Sequence, residues 1–188
     1  DSKKGRGKQL KPCAVKEVAI EKNIPLFQPL KLRDEDFLKQ LKSLNADLFI
    51  VVAFRMLPKS VWSLPSNGTI NLHTSLLPNY RGAAPINWVL INGEKETGIT
   101  TFFIDQQIDS GAIIKQDKIK ITDKTTAAEL HNTLMNKGSE LLIKTLTSIK
   151  NNTVSHQEQD HNLAMSEAPK LTKELLKIDW NKTANEIH

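Results

Sequence analysis

The 188-residue chain has one cysteine, Cys13, so it can form no internal disulfide and can build no cysteine-based zinc site. It has no apolar run near the roughly 18 residues of a membrane span, and no stretch with the charged-then-apolar pattern of a signal peptide. Gly5 and Gly7 are not a dinucleotide fingerprint, because no strand precedes them and no third glycine follows, and they do not form a phosphate-binding P-loop. His131, His156, His161 and His188 show no ligand spacing with carboxylates on one element, so no metal site is expected. Ser75 lacks the G-x-S-x-G context of a serine hydrolase. Internal repeats and low-complexity tracts are absent. These absences direct the reading to a protein of the cytosol or an organelle matrix.

What is present is ordinary for a soluble globular protein: 39% hydrophobic and 25% charged residues, enough chain for one well-buried domain with an appendage. The net charge of +5 permits an anionic partner without requiring one. The basic residues are uneven. Lys3, Lys4, Arg6, Lys8 and Lys11 crowd the start of the chain, interleaved with Gly5 and Gly7, as in a flexible cationic loop. Such a run is either a solvated charged surface or an arm that tracks the phosphates of RNA.

The pattern then predicts a helix over 12–23, with Val15, Val18, Ala19 and Ile20 on or near one side, and a short strand over 24–28 closed by Pro29. Residues 33–44 predict a second helix, capped by Asp34 and striped by Phe37, Leu38, Leu41 and Leu44. The nearly continuous apolar run 47–54 reads as a strand buried on both faces of a parallel sheet. A short helix over 58–64 and a strand over 69–73 follow. Alternating strands and helices argue a doubly wound α/β sheet. Farther on, 98–105 and 112–121 predict two strands joined by an irregular loop. Thr126-x-x-Glu129 is a capping box, opening a long amphipathic helix to about Ile149 with Leu130, Leu134, Leu141, Leu142 and Leu146 on its stripe. Residues 151–162 read as a polar connection, and 170–180 as an extension packing back on the domain.

The candidate active site is the stretch 70–85. Side chains alternate along a strand, so Asn71 and His73 emerge on one face. Pro78 and Arg81-Gly82 force a loop, and Pro85 is placed to open a helix. A strand that ends in polar residues at a loop feeding a helix is where open α/β folds place their chemistry. Asn71, His73 and Asp109 fit one task, holding a tetrahedral oxyanion and moving a proton. Each also fits a structural role: a satisfied histidine at a strand end, and an aspartate stabilising its own turn. Tyr80 and Trp88 read as core or loop anchors.

Asn71-x-His73, Ser75-Leu76-Leu77-Pro78, Arg81-Gly82-x-x-Pro85 and the later Asp105 with Asp109-Ser110-Gly111 together resemble the signature of the 10-formyltetrahydrofolate-dependent formyltransferases. Gly5-Arg6-Gly7-Lys8, Pro12, Phe27-Gln28-Pro29, Lys170-Leu171 and Ile178-Asp179-Trp180 resemble its tRNA-acting branch. The resemblance implies a Rossmann-like open, mostly parallel sheet, and an enzyme that transfers the formyl group of 10-formyltetrahydrofolate to the α-amino group of methionyl initiator tRNA, priming translation. It implies Asn71, His73 and Asp109 as catalytic residues. Ser75, Leu76, Leu77, Pro78, Asp105 and Gly111 would bind the folate, and Lys4, Arg6 and Lys8 the RNA, with no metal. It further implies a protein of the bacterial cytoplasm, with the mitochondrial matrix as the lesser alternative, with no membrane contact and monomeric at full length.

Family members carry a strand, helix and strand ahead of the basic segment and, in the tRNA-acting branch, a small β-barrel after the extension. The chain is therefore expected to be incomplete at both ends: 1–150 as the catalytic domain lacking its first strands, and 151–188 as an extension leading toward the barrel. Two alternatives stay open. One is formyl transfer to a small amine, a phosphoribosyl glycinamide or an amino sugar. The other is a non-catalytic fragment that binds RNA or folate.

Overall fold

The computed structural model describes residues 2–4, 9–53, 56–160, 166–175 and 177–187. The chain divides into two compact units, Asp1–Asn45 and Ala46–His188.

In the first unit, β1 (Ser2–Lys4) and β2 (Gln9–Lys11) pair antiparallel, Ser2 opposite Lys11 and Lys4 opposite Gln9. The basic segment therefore starts and ends in ladder hydrogen bonds instead of being flexible loop throughout. Arg6 and Lys8, which carry the RNA expectation with Lys4, lie outside the described residues. Helix α1 (Ala14–Glu21) and helix α2 (Glu35–Ser43) occupy the predicted segments. Asp34 caps α2 by accepting a hydrogen bond from Phe37 N at 3.0 Å. Asn23 and Asn45 follow the two helices with φ of 52° and 47°, the left-handed geometry that ends a helix and that asparagine tolerates. Residues 24–28 are not a strand. Their β-prone side chains find no ladder partner among the described residues, and a strand needs one.

The second unit runs β3 (Phe49–Val52), α3 (Lys59–Trp62), β4 (Thr69–His73), β5 (Arg81–Gly82), α4 (Pro85–Ile91), β6 (Glu96–Phe103), β7 (Ile113–Lys120), α5 (Ala127–Lys150), β8 (Glu167–Ala168) and α6 (Ala184–Ile187). Its main sheet has the order β3-β4-β6-β7. The α/β class is as expected. Among the described strands of this main sheet, the parallel pair is β3 with β4, Phe49 opposite Thr69. β6 runs antiparallel to both β4 and β7. The β6–β7 link is too short for the crossover that a parallel pair requires. β3 is also not buried on both faces: Ile50 and Val52 are 44% and 52% exposed, because β3 is an edge strand of this sheet and one of its faces is open.

One sheet face is closed by α4 and α5. Val89, Ile99, Leu130, Leu134 and Leu141 pack there, with Leu72 and Ile119 against them. Burying each such side chain contributes roughly 1.5–3 kcal/mol. The capping box is complete: Thr126 Oγ1 accepts from Glu129 N and Glu129 Oε2 accepts from Thr126 N. Gly138 lets α5 lie close to β4, since a Cβ there would be 3.0 Å from Leu72 Cδ2. Leu72 faces this core, so by strand alternation Asn71 and His73 face the other way.

β5 and β8 form a separate parallel pair, Arg81 opposite Glu167 and Gly82 opposite Ala168. Tyr80 N donates to Ser166 O and Ala84 N to Ala168 O on either side of it. Trp88 Nε1 donates to Pro169 O at 2.7 Å. Residues 166–169 are thus built into the same unit as the site.

Candidate active site

The chain 69–85 folds as its residues dictate. β4 delivers Asn71 and His73 to one face, the turn 74–80 reverses the chain, and Pro85 opens α4 at its first position, where a missing N–H costs nothing. Thr100 knots the turn. Its Oγ1 donates to Ser75 O at 2.7 Å and accepts from Leu77 N at 3.2 Å, while Gln116 Nε2 donates to Leu77 O at 2.9 Å.

His73 is buried at the end of β4, and its Nε2 lies 2.8 Å from Tyr80 O. A carbonyl only accepts, so Nε2 carries the proton. Nδ1 then faces the Asp109 carboxylate, with Oδ2 at 3.7 Å, beyond a direct hydrogen bond. Both side chains are nearly buried. In the neutral ring Nδ1 is an acceptor, so the expected donation from His73 to an oxyanion is open only after Nδ1 gains a proton. The geometry suits a base at Nδ1 whose protonated form is stabilised by Asp109.

Asp109 is held from two sides. Gly82 N donates to its Oδ2 at 2.9 Å. Its own backbone takes a φ of 51°, the left-handed region that aspartate tolerates better than most residues. Gly111 is required next to it, because a Cβ there would lie 1.8 Å from Phe103 O. Asp105 stabilises the same loop, its Oδ1 accepting from Gln107 N at 2.9 Å and Ser110 Oγ at 2.6 Å.

Asn71 sits two residues before His73 on the same face, and its buried Oδ1 has no hydrogen-bond partner among the described residues. Buried polar groups are nearly always hydrogen-bonded, so this amide is suited to a ligand. Turning the amide over exchanges donor for acceptor at that place. Its unpartnered end therefore fits a carbonyl oxygen or an amine of a ligand.

The structure brings Asn71, His73 and Asp109 together. It treats the residues expected to bind folate unevenly. The side chains of Ser75 and Leu77 face inward, with Ser75 Oγ donating to Asn79 O at 2.7 Å. Both are buried and set the turn. Leu76 packs over Gly98, whose added Cβ would lie 2.4 Å from Leu76 Cδ2. It also lines a cavity of about 140 Å³ with Asn79, Tyr80, Glu94, Glu96, Thr97 and Ser166, none of them a catalytic candidate. Pro78 is half-buried after a cis peptide bond, and Asp105 and Gly111 belong to the Asp109 loop. No group of three or more His, Cys, Asp or Glu side chains suited to a metal occurs among the described residues.

Other residues of the site were not legible as such. Tyr80 anchors its loop as expected: its hydroxyl donates to Glu94 and accepts from Asn92 Nδ2 at 3.0 Å. Burial first, then the bond to Glu94, pushes that hydroxyl's pKa above the ordinary phenol value. The carbonyl of the same residue fixes the His73 tautomer, which no side-chain pattern could reveal. Gln159 lies in the segment that reads as polar connection, yet it is only 4% exposed and bonds the Asp109 loop.

Residues 1–146 match the formyl transferase family. Over its full length the chain is 55% identical to the methionyl-tRNA formyltransferase of Flavobacterium johnsoniae, of which it covers 60%. It is 49% identical, again over its full length, to the methionyl-tRNA formyltransferase of Clostridioides difficile, of which it covers 61%. The chain thus spans about three fifths of these curated relatives. A solved sugar 3N-formyl transferase, crystallised in the presence of dTDP and 5-N-formyl-THF, superposes with a TM-score of 0.72 at 25% identity, covering 92% of this chain and 60% of that one.

Proposed function

The chain belongs to the formyl transferase family, and from that premise we propose that its protein transfers the formyl group of 10-formyltetrahydrofolate to the α-amino group of methionyl initiator tRNA. The observation that carries the chemistry is the cluster of Asn71, buried His73 and Asp109, with a tautomer that leaves Nδ1 free to take a proton opposite the carboxylate. The choice of amine rests on the full-length identity with proteins named methionyl-tRNA formyltransferase, against 25% with the sugar enzyme.

In the reaction the free amine attacks the formyl carbon, a C–N bond forms, and the carbonyl electrons move to oxygen. Asn71 donates to that oxygen; one such donor is worth roughly 2.7–4 kcal/mol in acyl-transfer sites. The amine proton passes to His73 Nδ1, directly or through water, and Asp109 stabilises the resulting imidazolium. The bond from the formyl carbon to N10 then breaks, the electron pair returns to N10 with a proton from His73, and tetrahydrofolate leaves. The Asp105–Gly111 loop, Leu76 and Pro78 border the folate. Ser75 and Leu77 shape the turn behind it.

Lys4, Arg6 and Lys8 are proposed to meet tRNA phosphates, which position a nucleic acid without reading its sequence. We place 1–150 as the catalytic domain and 151–188 as an extension toward a further domain, in a monomeric bacterial protein of the cytoplasm. No helix among the described residues is long and apolar enough to cross a membrane.

The test is formyl transfer by the full-length protein to methionyl initiator tRNA, a dTDP-amino sugar and a phosphoribosyl glycinamide, with His73→Ala as control. Transfer to the tRNA that collapses in the mutant is expected. Preference for a small amine would overturn the substrate, and a rate indifferent to His73→Ala would overturn the chemistry. Arg6→Ala should weaken transfer to tRNA and spare folate binding.

A further inference from the structure

Three consecutive residues each hold one part of the site: Tyr80 O accepts from His73, Gly82 N donates to Asp109, and between them the Arg81 side chain grips Gln159. Arg81 Nε and Nη2 both donate to Gln159 Oε1, the former at 3.2 Å. Gln159 Nε2 in turn donates to Asp109 O at 3.0 Å and Gly111 O at 2.7 Å. This network admits one orientation of the amide, because a guanidinium cannot accept and carbonyls cannot donate. Both carboxamide atoms are therefore engaged, and the side chain is buried.

The two carbonyls that Gln159 ties down flank the strained stretch of the loop, where Asp109 takes its positive φ and Gly111 has no room for a side chain. That stretch decides where the Asp109 carboxylate lies relative to His73. Gln159 comes from beyond residues 1–146, the stretch that matches the formyl transferase domain. We infer that Gln159 is a positioning residue for the transfer reaction, clasping the Asp109 loop to Arg81 so that the carboxylate stays opposite His73 Nδ1. The inference rests on the proposed function for its kinetic readout only.

The test uses the full-length protein carrying Gln159→Met, which keeps the volume and removes all of these hydrogen bonds. A displacement of about 1 Å can cost on the order of 10²-fold in rate, so kcat should fall by about that factor. In an Asp109→Ala background the same substitution should cost almost nothing further, since nothing is left to position. A fall by the same factor in both backgrounds would mean a general structural role and would overturn the inference, as would a kcat within about threefold of wild type. If Gln159→Met does not fold, Gln159→Glu replaces it: the carboxylate keeps the bond to Arg81 and sets an oxygen against the two carbonyls, and the same cycle applies. The imidazole nitrogen NMR signals of His73 supply a readout that needs no substrate. They should shift in the same direction in Gln159→Met and in Asp109→Ala, and signals unchanged from wild type in Gln159→Met would overturn the inference. If the wild type transfers no formyl group to the tRNA, the proposed function fails while this measurement still tests Gln159.

Discussion

Asp109→Asn removes one charge and leaves the shape of the site nearly intact. The Asp109 Oδ2 and His73 Nδ1 atoms are 3.7 Å apart, with side chains 13% and 8% exposed. Two unit charges at that distance attract by about 4 kcal/mol at an effective dielectric constant of about 20. The attraction exists only while the ring holds a second proton, which is the state formed after the amine gives its proton up. It is therefore realised in the transition state and not in the ground state, and its loss should lower the chemical rate by about 10³-fold. The asparagine oxygen can still accept from Gly82 N, so the loop should keep its place. If the amide instead turns its NH₂ toward Nδ1, it gives up the bond from Gly82 N, because one and the same atom of the carboxylate faces both groups, and it occupies the lone pair that must take the proton. The assay is single-turnover formyl transfer to methionyl initiator tRNA, with folate binding and thermal unfolding measured on the same preparation. A rate within tenfold of wild type, in a protein that melts normally and binds folate, would refute the claim that Asp109 acts through charge on His73.

Gly82→Ala should lower both stability and rate, because φ is 123° and the new Cβ would lie 2.5 Å from Ala168 O. A cost of about 1–3 kcal/mol in denaturant unfolding is expected. Tyr80→Phe should change the alkaline limb of stability. The folded hydroxyl has a raised pKa, from burial and then from Glu94, so its contribution is full below the unfolded value of about 10 and is lost as pH rises through the folded value. The stability gap between wild type and Tyr80→Phe, measured in urea at pH 8 and pH 11, should narrow at the higher pH. Leu134→Ala, at a core position only 1% exposed, should cost about 2–5 kcal/mol in unfolding free energy and leave the KM for folate unchanged.

Local chemistry determined by itself much of what the chain becomes. The alternation over 69–73 places Asn71 and His73 on one face, Pro85 starts α4, Asp34 caps α2 and the Thr126/Glu129 box starts α5, because each depends on residues within a turn or two of each other. The motif residues were legible for the same reason: a strand end and a tight loop impose short, fixed spacings. Tertiary contacts alone decided the rest. Among the described residues the extended segment 24–28 found no ladder partner, and β3 proved to be an edge strand with one open face. The tautomer of His73 is set by a backbone carbonyl, which every residue possesses and no pattern distinguishes. Gln159 reads as one more polar residue in a connecting segment until the fold brings it to Asp109, 50 positions earlier in the chain, where burial obliges its amide to find partners and the strained loop supplies them.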